Sequence, residues 1–311
     1  MRIYSQSPSR LSLCGGGTDF PDYYQEYGGA VISLAIDIRS RFTLVTGKDR
    51  LGFGKSKNVA SGDPKFVTDI LKEFGVKGAF EMAYDGRLRS GLGGSASSAV
   101  AVVGAIDRYL GLKMSRVNIA LIAYGLEVKK LFGGVQDQMA AAHGGLNLFE
   151  FGETVNVVPL DRTYGDWLSN NILLFHTNLE RTDPKIQEGF KKLTKKQVKA
   201  LERIKGLVAP TLEAISQQDL QSLGEVLDTA WGYKKESNKG VSTSRLSDMY
   251  TYAKAHGASG GKVSGAGGGG CMFFAVSGDH DEFIKRMGQY GLTHWNYKPD
   301  YQGLEVQELT P

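Results

Sequence analysis

The segment Arg89 to Ser98 reads RSGLGGSASS and runs straight into the apolar stretch Ala99 to Ala105. Glycines let a backbone turn tightly and approach a ligand with no Cβ in the way. Serine hydroxyls can cap a helix or reach a metal ion. A helix beginning at Ser95 would aim its unpaired N–H groups and the positive end of its dipole back at this loop. Together these parts form a cradle for phosphate. The loop is not a Walker A sequence, because GxxxxGK[ST] is absent. Taken alone, the same composition would also serve as a plain tight turn.

Two acids add chemistry to the loop. Glu127 and Asp137 are separated by a glycine break, and Asp137 sits in GGVQDQ. If Glu127 lies near the end of a helix, the break can fold Asp137 back toward the same pocket. One carboxylate could then hold Mg²⁺ while the other accepts a proton, which is the division of labour phosphoryl transfer needs. Spacing alone equally allows both acids to lie on exposed helix faces. Ser95, at the loop-to-helix junction, is a further candidate ligand for Mg²⁺ bridging nucleotide phosphates, or else the helix N-cap.

Arg10 and Asp19 flank a second glycine cluster, Gly15 to Gly17. An arginine facing Asp137 would stabilise its negative charge and polarise a substrate hydroxyl. Asp19 could accept hydrogen bonds from sugar hydroxyls, although a surface ion pair is the plainer reading. Lys262 opens a third cluster, KVSGAGGGG, where bare backbone could approach substrate or phosphate closely.

Other chemistries find no support. The five histidines are spread out with no i,i+4 pair, so an HExxH zinc site is excluded. No GxSxG nucleophile elbow occurs. GLGGS fits the dinucleotide fingerprint poorly, since the expected βαβ setting is missing. The two cysteines, Cys14 and Cys271, form neither a disulfide framework nor a CxxC motif.

These residues need a scaffold, and 311 residues suffice for two domains or one large α/β unit. Hydrophobic content of 41% and charged content of 23% are ordinary for a globular chain. Glycine is not ordinary: the 41 glycines are nearly twice typical usage, and most of the excess sits in the three clusters, which points to ligand-cradling loops rather than disorder. A net charge of +4 is mild, and the basic run KKLTKKQVK has no interleaved aromatics, so nucleic-acid binding is not indicated. No signal-peptide core and no membrane-length apolar run are present, so a cytoplasmic protein without membrane association is expected.

The patterns predict strands at Ile3 to Ser12, interrupted by Pro8, and a strand pair at Ala30 to Ile38 and Arg41 to Thr46. Helices are expected at Asp63 to Phe74, Ser95 to Leu110, Ser115 to Leu131 and Gln136 to Ala142. Leu146 to Phe151 and Val155 to Leu160 read as another strand pair. Later, ILLF within Asn170 to Thr177 reads as a buried strand, Lys185 to Gln218 and Leu220 to Lys235 as mostly helical, and Cys271 to Val276 as a strand. The pattern is mixed α+β, with a division near 160–170, giving an N-terminal domain over 1–165 and a C-terminal domain over 166–311.

PSRLSLCGGGTD, SGLGGSASS and KVSGAGGGG resemble, in order, the three signature motifs of the GHMP kinases, the family of galactokinase, homoserine kinase and mevalonate kinase. GGVQDQMAAAHGGLNLFEF and WGYKKESN resemble, more narrowly, the D-glycero-D-manno-heptose 7-phosphate kinases. This resemblance implies a two-domain α+β fold with an N-terminal half like ribosomal protein S5 domain 2. It further implies ATP-dependent phosphorylation of the anomeric hydroxyl of a heptose 7-phosphate. By similarity, Ser90, Gly91, Leu92, Gly93, Gly94, Ser95, Ala96, Ser97 and Ser98 would wrap the ATP phosphates. Ser95 and Glu127 would hold Mg²⁺. Asp137 would be the catalytic base, with Arg10 beside it. Gly17, Thr18 and Asp19 would contact the sugar, and Lys262 and Gly265 would help shape the substrate site.

Gly94 departs from the GLGSSAA of many members, so a phosphate contact there is either lost or taken over by Ser97 or Ser98. Two alternatives stay open at this level. One is a kinase for an unphosphorylated sugar of the fucose, arabinose or galactose type, where a phosphosugar site would need an extra cation such as Lys262, Lys234, Lys235 or Arg181. The other is a sugar- and ATP-binding sensor without turnover. The expected partners are a small sugar or sugar phosphate and ATP, with the chain acting as a monomer or homodimer.

Overall fold

A computed structural model describes residues 1–47, 59–60, 64–87, 89–129, 133–179, 192–238 and 240–309. Its first half is built on two long strands, β1 (Arg2–Cys14) and β2 (Gly29–Val45), joined through helix α1 (Pro21–Tyr27). They pair antiparallel from Arg2↔Val45 to Cys14↔Ile32. Pro8 has no N–H to give the ladder, and the register shifts between Pro8 and Ser9 instead of breaking the strand.

The strand pair expected at Ala30 to Ile38 and Arg41 to Thr46 is therefore a correction. Both segments belong to the single strand β2. Its middle contains no Gly or Pro to close a hairpin, so the chain runs on and its neighbours change instead. Gly29 to Leu34 pair with β5 (Leu146–Phe151), and Ser40 to Val45 pair with β4 (Ala79–Tyr84). Two-residue β3 (Val59–Ala60) flanks β4, and β6 (Val155–Pro159) flanks β5.

Helices α2 (Pro64–Glu73), α3 (Gly94–Leu110), α4 (Arg116–Val128) and α5 (Gln136–His143) join this sheet around one core. Ala96 to Ile106 of α3 are all buried, an uninterrupted run that small residues allow by letting the helix lie close to β1.

After α6 (Arg162–Asn171), a second sheet forms from β7 (Ile172–His176), β8 (Ala258–Val263), β9 (Cys271–Val276) and β10 (Thr293–Trp295), in the order β10-β7-β9-β8. Around it lie α7 (Lys195–Gly206), α8 (Val208–Ser216), α9 (Leu220–Ser237), α10 (Ser244–Ala255) and α11 (His280–Gln289). The last strand, β11 (Glu305–Leu309), returns to the first sheet and pairs with β1. A shared core ties the sheets together, with Leu11, Leu13, Ile32 and Leu34 meeting Leu174, Leu223, Leu227 and Phe273. The start of the helix expected from Lys185, together with Arg181, lies outside the described residues. No described helix is long and apolar enough to cross a membrane.

Candidate active site

The glycine-serine loop hangs from protein donors by its carbonyls. Ser90 O accepts from the Cys271 N–H at 2.7 Å, and Leu92 O accepts from the Arg10 N–H at 3.0 Å. Gly91 O accepts from Arg10 Nη1 at 2.8 Å and from Ser264 Oγ at 2.9 Å. Across each planar peptide, the following N–H points the opposite way, so the amides of Gly91, Leu92 and Gly93 face away from these donors. Gly93 then caps α3 in the left-handed conformation, with no side-chain cap over the helix's first N–H groups. This is a backbone anion cradle continuous with a helix N-terminus. A Cβ at Gly270 would lie 2.4 Å from Ser90 O, which is why the third motif needs glycine at its contact with the second.

Asp137 lies in the first turn of α5, where the helix dipole favours a carboxylate. Its Oδ1 accepts from Arg10 Nε at 2.8 Å and ion-pairs with Nη2 at 2.6 Å. The arginine side chain is 4% exposed and the aspartate 25%, so the pair is anchored on one side and open on the other. Asp137 Oδ2 faces the loop, 3.2 Å from where a Cβ on Gly93 would stand.

Glu127, near the end of α4, is buried and accepts from Gln138 Nε2 at 2.6 Å and from the Ser95 hydroxyl. Burial is the main force pushing its carboxyl up to about 7, and the negative charge of Asp137 adds to it. The glycine break thus brings both acids and the loop to one place. Gln138 Oε1 is buried beside them without a partner. A hard, oxygen-seeking dication fits this set: it would neutralise two mutually repelling carboxylates and find a hydroxyl and an orphan carbonyl nearby. Among the described residues, no group of three or more His, Cys, Asp or Glu side chains forms a metal site. Such an ion would therefore depend on substrate oxygens and water for its other ligands.

Several expected residues face elsewhere. Asp19 has no exposed surface. Its Oδ1 accepts from Gly17 N at 2.9 Å and Gln136 Nε2 at 3.0 Å, and its Oδ2 accepts from Gln136 N at 3.0 Å. Burial raises its pKa. Asp19 ties the first glycine cluster to the start of α5 rather than presenting a free acceptor to a sugar. Thr18 is likewise buried, with its hydroxyl donating to Gly15 O at 2.8 Å.

Ser97 and Ser98 turn inward too. Ser97 Oγ donates to Ser7 O at 2.7 Å, and Ser98 Oγ donates to Gly94 O at 2.9 Å. Neither hydroxyl faces the loop to replace one missing at Gly94. Lys262 is 5% exposed and donates to Leu13 O at 3.2 Å; burial pushes its ammonium down to about 8. Gly265 O accepts from Lys234 Nζ. Ser264, Gln136, Gln138 and Tyr84 also support the site, beyond the residues expected from the sequence. Only the first three had a signal, as polar residues inside or beside the recognised motifs.

The family model described as the GHMP kinases N terminal domain matches residues 64–145, and the GHMP kinases C terminal model matches 211–291. The chain is 33% identical over 302 residues to a D-glycero-alpha-D-manno-heptose 7-phosphate kinase of Campylobacter jejuni, an alignment covering 88% of this chain and 89% of that protein. It is 25% identical over 347 residues to a mevalonate kinase of Thermococcus onnurineus, covering all of both. A crystal structure described as a D-glycero-D-manno-heptose 1-phosphate kinase from Bacteriodes thetaiotaomicron superposes with a TM-score of 0.77 at 23% identity, covering 99% of this chain and 100% of that one, a likeness of fold. The paired motifs, the two matched domains and the extent of the first alignment make this chain a member of the GHMP kinase family, an ATP-dependent phosphotransferase with an alcohol group as acceptor.

Proposed function

We propose that the chain phosphorylates the anomeric hydroxyl of a heptose 7-phosphate, for nucleotide-heptose synthesis. The observation that carries the reading is the Arg10–Asp137 pair, whose free oxygen faces the anion cradle at Gly93. The amides of Gly91 to Gly93 and the head of α3 would bind the nucleotide phosphates. Ser95 and Glu127 would hold Mg²⁺, which when bound neutralises charge on the transferring phosphoryl group. Asp137 Oδ2 would take the proton from the acceptor hydroxyl. Arg10 would fix the carboxylate's orientation and, through Gly91 O, its distance from the loop. Asp19 acts one step back, holding Gln136 and so the start of α5 in place.

One observation favours an unphosphorylated sugar instead. Lys262, a cation expected to meet a substrate phosphate, is turned to Leu13 O and buried. Both readings are tested by supplying the full chain, ATP and Mg²⁺ with a panel of heptose 7-phosphate, free heptose, fucose, arabinose, galactose and mevalonate. Product followed by phosphorus NMR should show a new anomeric phosphate with heptose 7-phosphate. Faster turnover of a free sugar would replace the substrate assignment, and turnover of mevalonate alone would overturn both sugar readings.

A further inference from the structure

Tyr84 ends β4 just before the loop and belongs to no recognised motif. Its ring lies between two glycines. A Cβ built on Gly94 would stand 2.6 Å from Tyr84 Cζ, and one on Gly86 would stand 2.9 Å from the same atom. Real Cβ contacts are essentially never that short, so both positions are bare because the ring is there. The Tyr84 hydroxyl lies 3.1 Å from Ser9 Oγ, on the strand residue next to Arg10, and also hydrogen-bonds Ser90. One side chain therefore joins the start of the loop, the strand bearing Arg10 and the first residue of α3.

Gly94 is otherwise hard to explain. Its φ is not positive, and glycine is a poor residue at the start of a helix that serine would stabilise. Ser97 and Ser98, the neighbouring hydroxyls, are bonded inward.

We propose that Tyr84 is a positioning residue for the nucleotide-binding loop. Its ring keeps side chains off the head of α3, so that backbone N–H groups alone meet the phosphates, and its hydroxyl sets the loop's distance from Arg10. The proposal rests on the kinase reading above.

The test is a set of full-chain variants assayed with ATP, Mg²⁺ and the best acceptor from the panel, alongside equilibrium binding of a fluorescent ATP analogue. Tyr84→Phe keeps the ring and removes the hydrogen bonds. It should raise the KM for ATP about fivefold, the size of one modest hydrogen bond, with the acceptor KM within about twofold. Gly94→Ser should raise it at least about tenfold, because the new Cβ meets the ring. In a Tyr84→Ala background the same Gly94→Ser change should cost no more than about twofold. Equal penalties in both backgrounds, or a Tyr84→Phe variant that melts earlier but keeps its ATP KM, would overturn the proposal and leave the kinase reading intact. A wild-type chain that binds no ATP analogue would overturn both.

Discussion

Replacing Asp137 with Asn is the sharpest perturbation the site offers. Arg10 Nε and Nη2 both engage Oδ1, at 2.8 and 2.6 Å, while Oδ2 faces the loop. An asparagine can keep its carbonyl oxygen on the arginine and turn its amide toward Gly93. The geometry then survives, but the proposed proton acceptor is gone. Loss of a general base removes about 10²- to 10⁴-fold in rate. The stability change should be small. The arginine keeps Gly91 O and a neutral acceptor, and Asp137 is a quarter exposed, so solvent already screens the pair. A loss of about 1 kcal/mol is expected, a few degrees or less of melting temperature in a chain of this size. Single-turnover quench experiments with saturating ATP isolate the chemical step, and thermal melts report the fold. Asp137→Ala serves as the contrast, because it leaves the buried guanidinium without its anion and should destabilise more than Asn does. A single-turnover rate for Asp137→Asn above a tenth of wild type, with ATP affinity unchanged, would refute the assignment of Asp137 as base.

Other outcomes follow from neighbouring geometry. Gly93→Ala forces a left-handed backbone onto a residue with a Cβ, costing about 1 kcal/mol. The new methyl would press on Asp137 Oδ2 from 3.2 Å, and kcat should fall about tenfold; an unchanged kcat would show that the carboxylate moves freely. Lys262 titrates at about 8 when folded against an ordinary 10.5, so between those values the unfolded chain binds more protons. Its contribution to stability therefore rises with pH across that window, and its penalty is fully present below pH 8. Lys262→Met should raise the melting temperature most below pH 8, with the gain shrinking toward pH 10; a gain independent of pH would dismiss the buried ammonium as its cause. Arg39 pairs with buried Asp300 at 2.5 Å and with Glu305 at 2.5 Å, fastening the segment that carries β11 back to the first sheet. Arg39→Met strands that carboxylate and should cost about 3 kcal/mol in urea unfolding, whereas an unmoved midpoint would show the latch to be idle.

What the chain reveals on reading depends on whether a residue's job is local. Helix α3 was legible because a glycine-serine loop abuts an alanine-valine run, and nothing distant decides that. Strand β2 is not legible as one strand because its continuity is set by β1 alongside it, whose irregularity at Pro8 takes up the mismatch. Ser97 illustrates the same limit at the level of one hydroxyl. Ser5, Ser7 and Ser9 alternate along β1 beneath α3. Ser5 Oγ donates to Ala101 O at 2.6 Å, and Ser7 Oγ donates to Ser97 O at 2.6 Å. The alternation was visible in the sequence as a stripe of small hydroxyl residues, the signature of a strand approached closely by a helix. Such a stripe marks some of the loop's serines as packing residues.

The third motif makes the converse point. Its lysine is the conspicuous cation, yet the contacts made to the loop come from the Ser264 hydroxyl and from the N–H of Cys271, the residue that follows the motif. A main-chain donor leaves no trace in residue identity beyond the glycines that let it approach. The glycines of this motif are therefore read more faithfully as a record of backbone held against backbone than as flexible linkers. On that reading the site is one hydrogen-bonded unit: Arg10 from the first motif, Ser264 from the third and Cys271 just after it grip the carbonyls of the second, and the opposite, N–H edge is the one the proposed function gives to phosphate.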